Sequence, residues 1–135
     1  DGTRDSMANI RDTGVFCVNF VEYAMRDAMN ASSATLSHGT DEFAHAGIEK
    51  AECSEIACAR VASAPASLEC RMTQMVEIEG NNNLVVFGEV IGVHMRDDCI
   101  NDGRFDITSY QPLTRLGYRD YSRITELFEI IRPDD

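Results

Sequence analysis

Hydrophobic and polar positions change their period several times along the chain, and each change predicts an element. Met7, Ala8 and Ile10 fall on one side of a short helix that Thr3 would cap and Gly14 would end. Val15 to Val21 is an apolar, β-branched run, too short for a second helix, and predicts a buried strand. From Glu22 to Asn30 the spacing is helical again, with Ala24, Met25, Ala28 and Met29 facing inward. Ser32 to Gly39 is a polar connection, after which Thr40 opens a short helix that Gly47 closes. Glu49 to Val61 shows no sustained period.

At Leu68 the period becomes two. Leu68, Cys70, Met72, Val76 and Ile78 alternate with mostly polar neighbours up to Glu79, predicting a long half-exposed strand. Gly80 to Asn83 is a turn rich in residues that tolerate positive φ. The returning run, Leu84 to Met95, is apolar on both faces, which predicts a central strand of the hairpin. Asp97 to Tyr110 is a polar excursion, and Leu127 to Ile131 predicts a last strand before Arg132 and Pro133. A few long strands, short helices and hairpin connections indicate a mainly β, α+β domain: an antiparallel barrel or sheet with helical additions. A helix opens the chain at once and the strands are too few to close a barrel, so the domain is expected to begin mid-fold.

Composition narrows the partners. A chain of 135 residues fits one domain, residues 1–135. Its net charge of -11 argues against a nucleic-acid backbone or an anionic membrane, since both call for clustered cations. The basic residues are nearly all Arg, which suits recognition of a single phosphate or carboxylate. Cys17, Cys53, Cys58, Cys70 and Cys99 are odd in number and form no C-x-x-C pair, so reduced thiols in a cytoplasm are the simplest reading. His38 and His45 have no second ligand at metal spacing, and Asp97, Asp98, Asp102 and Asp106 lack the spacing of a calcium loop; no metal is expected.

Several segments, in order, carry a resemblance. Asp1-Gly2-Thr3-Arg4-Asp5-Ser6-Met7-Ala8-Asn9-Ile10 follows a D-G-T-x-K-D-T-x-x-N-I pattern, and Gly14 to Asn19 follows G-x-F-x-V-N. Ala28-Met29-Asn30, Glu42-Phe43-Ala44-His45-Ala46-Gly47, Pro65 to Cys70, Gly88 to His94, Leu113 to Tyr118 and Arg132-Pro133 continue the series. In these segments the chain resembles the flavin reductase-like family of FMN-binding split β-barrels, in the subgroup often found beside flavoprotein oxygenases. The R-P-x-x-x-V-S-T and A-P-F-S segments that precede the helix in the family have no counterpart here. Asn81 to Asn83 stand where other branches carry G-D-H.

The resemblance implies FMN as cofactor, NADH or NADPH as electron donor, a homodimer, and a flavoprotein oxygenase as a possible acceptor of reduced flavin. A flavin performs hydride transfer itself, so the protein has to bind it, orient it and exclude water. The first turn of the opening helix offers free amides and a favourable dipole for the FMN phosphate. Arg4 would pair with the phosphate, Ser6 would donate its hydroxyl, Asp5 would brace the loop, and Asn9 belongs to the same motif. Asp5 and Ser6 would equally serve as plain helix caps. Asn30, with Ser32 and Ser33, either faces the flavin pocket or caps a helix end. His94 is either a packed, hydrogen-bonded residue or a neighbour of the flavin. Glu89 needs a partner, such as an Arg across the sheet. The alternative to a flavin reductase is a non-catalytic barrel remnant that serves as a dimerising interaction subunit.

Overall fold

The computed structural model describes residues 2–33, 42–80 and 83–135, with backbone alone for residues 2–5, 42 and 45. The chain opens with α1 (Gly2–Thr13) and β1 (Val15–Asn19). Thr3 lies inside α1 rather than before it. The Thr13 hydroxyl donates to the Asn9 carbonyl at 2.7 Å. Gly14 ends the helix in the left-handed region (φ +72°), where its N–H reaches the Ile10 carbonyl at 2.7 Å.

A 3-10 turn, Tyr23–Met25, precedes α2 (Arg26–Ser32), so the helix expected from Glu22 starts later and Ala24 is exposed. The Ser32 and Ser33 hydroxyls bond back to the Met29 and Asn30 carbonyls at 2.7 Å each, satisfying the end of α2. α3 (Glu42–Ala46) ends at Gly47, φ +70°, as its sequence indicates. Thr40, His38 and the remainder of that connection, with Asn81 and Asn82 of the later turn, lie outside the described residues.

The aperiodic stretch forms a small hairpin, β2 (Lys50–Glu52) and β3 (Ala59–Val61). Then come the two long strands, β4 (Ala66–Ile78) and β5 (Asn83–Met95), which pair antiparallel along their whole length. The sheet order is β1-β4-β5. β4 is therefore the central strand; β5, expected there, takes a flank, and its outer edge pairs with no strand among the described residues. Its apolar side chains are correspondingly open: Phe87 is 49% and Val93 54% exposed. On the same hairpin Glu89 finds its cross-strand Arg, Arg71, at 2.6 Å.

Beyond β5, the polar excursion folds into two 3-10 turns around the short pair β6 (Ile100–Asn101) and β7 (Arg104–Phe105). Its carboxylates bond locally, Asp98 to Arg96 and Asp106 to Asn101 and Thr108. A last hairpin joins β8 (Leu113–Arg115) to β9 (Tyr121–Arg123). The strand expected at Leu127 to Ile131 does not form: this segment pairs with no strand among the described residues, and Phe128 and Ile130 are 80% and 83% exposed. An apolar run predicts burial, and here the covering surface is missing from the described chain.

The core sits where β1, β3 and the start of β4 meet, around Val61, Ala64, Ala66 and Cys70. Gly88 allows close packing there, since a Cβ would stand 2.5 Å from the Phe16 ring. No helix of the described residues is long and apolar enough to cross a membrane.

Candidate functional site

One cleft gathers cations in a chain that is otherwise acidic. The β8–β9 hairpin is tied to the segment after β1 by Leu113 N–H to the Val21 carbonyl and Tyr23 N–H to the Gln111 carbonyl, both at 3.0 Å. That attachment brings Arg123, far away in sequence, over the Tyr23 ring with its guanidinium carbon 4.3 Å from the centroid. Arg26 lies over the same ring at 4.0 Å and donates to the Tyr23 carbonyl at 3.0 Å. The resulting cleft, about 520 Å³, is walled mainly by Tyr23, Arg26, Asn30, Tyr121, Ser122 and Arg123. Its size is that of a small-molecule site. Among the described residues neither Arg26 nor Arg123 has an ion-pair partner, although Asp27 shares the wall. Two unpaired guanidiniums beside aromatic faces and amide and hydroxyl groups suit a planar anion.

A second polar centre is closed rather than open. Glu69, on the central strand, is fully buried. Its carboxylate accepts the amides of Ser54 at 2.8 Å, Glu55 at 2.7 Å and Ile56 at 3.1 Å, and it also bonds His94 Nε2. Gly92, opposite Glu69 in the ladder, leaves room for the carboxyl: a Cβ there would stand 3.2 Å from Glu69 Cδ. Burial by itself pushes the Glu69 carboxyl up. The Ser54 and Glu55 amides, the His94 ring and the Ile56 amide outweigh it and hold the group down at about 2. Next to it, the Asn19 amide oxygen accepts from Ser67 Oγ at 2.8 Å and Val61 N–H at 2.9 Å, fastening β3 to β1.

The expected site residues do not all meet. Asn30 lies in the wall of the cationic cleft. His94 is engaged by Glu69, the packed and hydrogen-bonded arrangement that was one of its two expected readings. Ser6 and Asn9 are exposed on α1, and neither lines the cleft. Arg4 and Asp5 belong to the first turns of α1, with their side chains outside the described ones. Tyr23, Arg26, Tyr121 and Arg123 went unnoticed in the sequence. Tyr23 and Arg26 are three apart at a helix start, a signal that was available. Nothing local points from them to Arg123.

Residues 2–116 match the family model described as flavin reductase like domain. The chain belongs to this family. A Deinococcus radiodurans protein is 35% identical over 137 residues, covering 98% of this chain and 60% of that protein. A Halalkalibacterium halodurans relative is 28% identical, covering 98% and 66% respectively. Among solved structures, nitrilotriacetate monooxygenase component B from Bacillus cereus superposes with a TM-score of 0.85 at 24% identity, covering 93% of this chain and 64% of that one. A Shewanella frigidimarina protein with a split barrel domain gives 0.87 at 20% identity, covering 96% and 66%. These likenesses establish a split-barrel fold with helical additions. The chain spans about 60–66% of the length of these two relatives.

Proposed function

We propose that the chain is the flavin-binding part of a reductase that holds FMN and a nicotinamide nucleotide, NADH or NADPH, so that hydride passes from the second to the first. The observation that carries this reading is the pair of unpaired guanidiniums over Tyr23, in a flavin reductase-like domain whose net charge is -11. The groups present fit: Arg26 and Arg123, held over Tyr23, for anionic oxygens, Tyr121 for a ring, Asn30 and Ser122 for polar edges. FMN, when bound, supplies the redox chemistry; the residues supply position and charge. The N-terminal end of α1, with Arg4, Asp5 and Ser6, is proposed for the FMN phosphate, and Asn9, further along the helix, for the same site. His94, held by Glu69, is proposed to stand at the edge of the flavin site as a positioning residue.

The acceptor of reduced flavin would be a flavoprotein oxygenase, in keeping with the monooxygenase component B among the structural neighbours. A homodimer is part of the same proposal, favoured by the open apolar face of β5. A cytoplasmic setting accords with five unpaired thiols.

Titration of FMN into the purified chain, followed by quenching of flavin emission, tests the proposal. Saturable quenching at micromolar FMN is expected, weakened about tenfold by Arg26→Ala, Arg123→Ala or Arg4→Ala, the loss of one charge-assisted contact. Anaerobic bleaching of the bound flavin by NADH or NADPH then identifies the donor. Absence of quenching would reject flavin binding by this chain and favour the non-catalytic, dimerising subunit.

A further inference from the structure

The row of cations does not stop at the cleft. In the β8–β9 hairpin Leu113 pairs with Arg123, and Arg115 pairs with Tyr121. Side chains directly opposite in a ladder, and those two residues along it, share one face. Arg115 therefore stands on the face that Leu113, Tyr121 and Arg123 present to the cleft. Its Nη1 donates to the Tyr121 hydroxyl at 2.5 Å, and its guanidinium carbon lies 5.4 Å from the centre of that ring. The Thr114 hydroxyl, donating to the Ser122 carbonyl at 3.1 Å, ties the two strands at the same level. Among the described residues Arg115 has no carboxylate partner. Its contact is a hydroxyl, which leaves the rest of an exposed guanidinium to a ligand.

We propose that Arg115 is a specificity residue that selects NADPH over NADH by binding the 2′-phosphate of its adenosine half. The inference rests on the flavin reductase reading above, which employs Arg26 and Arg123 and gives Arg115 no role. Two residues along a strand are about 7 Å, the order of the separation between the diphosphate and the 2′-phosphate in such a nucleotide. Diphosphate oxygens at Arg123 would thus bring the 2′-phosphate to Arg115, with the adenine against the Tyr121 ring between them. A guanidinium takes a phosphate dianion through two parallel N–H bonds, which a 2′-hydroxyl cannot match. A site built for the unphosphorylated ribose presents a carboxylate to that hydroxyl. Among the described residues no carboxylate is bonded to Arg115 or Tyr121. The 2′-phosphate also adds negative charge to a ligand that meets a chain of net charge -11, so a preference for NADPH needs a local cation to offset the repulsion.

Isothermal titration calorimetry of the full chain with adenosine 2′,5′-bisphosphate and with adenosine 5′-monophosphate tests this, because the two differ only in the 2′-phosphate. The bisphosphate is expected to bind at least about tenfold more tightly, the worth of one charge-assisted contact. Arg115→Ala should bring the two affinities together, and Arg115→Lys, which keeps the charge but not the fork, should retain part of the difference. Arg119→Ala, on the exposed turn of the same hairpin, should leave the difference intact. Equal affinities in the unaltered chain, no binding of either nucleotide, a difference that survives Arg115→Ala, or one that Arg119→Ala removes would each overturn the proposal. Quenching of flavin emission, followed in the same protein, separates the two readings. Quenching with equal nucleotide affinities overturns this inference alone. An Arg115-dependent difference without quenching supports the 2′-phosphate site and rejects flavin binding.

Discussion

Glu69 shows how much one side chain can organise. A carboxylate in a sheet interior is costly unless its lone pairs are met, and here three loop amides and an imidazole meet them. Its folded-state value, about 2, lies below the ordinary 4.5. A depressed carboxyl adds stability that is fully present above the unfolded value and is lost as pH falls through the folded one. Urea unfolding should therefore show the protein losing stability between about pH 4.5 and pH 2. Glu69→Gln keeps the shape but replaces one acceptor oxygen by a donor facing amide N–H groups. It should lower the melting temperature by several degrees at pH 7 and give a flatter acid limb than the unaltered chain. Equal acid limbs in the two proteins would show that the amide cluster does not depend on the charge.

At the scale of elements, Arg96 is the joint between the end of β5, the loop before β4 and the segment that leads to the cleft. Its guanidinium forks onto Glu22 at 3.1 and 3.0 Å, donates to the Ser63 carbonyl at 2.9 Å and pairs with Asp98 at 2.6 Å. The Glu22 pair is the stronger constraint, because both partners are largely buried, whereas Asp98 is exposed. Arg96→Ala should cost about 2–3 kcal/mol by chemical denaturation, and Arg96→Lys, which keeps the charge but not the fork, about half of that. A loss under 0.5 kcal/mol in both, roughly the ordinary surface range, would show that the joint carries no weight.

Elements of this kind were unevenly legible in the sequence. α1, β1, the turn at Gly47 and the β4–β5 hairpin follow from local period and punctuation, and the structure has them within a few residues. The β2–β3 hairpin was missed because its strands are three residues each, too short to show alternation. β5 was placed centrally because both its faces are apolar, a pattern that reports burial without saying by what. Asn30, which the motif singled out, lies in the wall of the cleft. Arg123 was not legible, because its place over Tyr23 is set by a hairpin docking that no local pattern encodes.

The whole molecule carries two apolar surfaces that the described chain does not cover. One is the outer part of β5, with Phe87 and Val93 half exposed; the other is the run from Leu127 to Ile131, with Ile131 72% exposed. A monomer seldom leaves so much large apolar surface in contact with water. Both surfaces are available for association, and the homodimer proposed above would bury them. Sedimentation velocity at tens of micromolar protein should then show a dimer. Phe128→Asp with Ile130→Asp should convert it to a monomer, since two buried charges without partners oppose an apolar interface strongly. Within one chain those side chains are almost fully solvated, so the double variant should keep its melting temperature when monomeric. Stability and assembly therefore separate in this experiment. If the unaltered chain sediments as a monomer across the range, the apolar tail does not serve self-association. If the double variant remains dimeric, the contact lies on β5, and Phe87→Asp becomes the substitution that should break it.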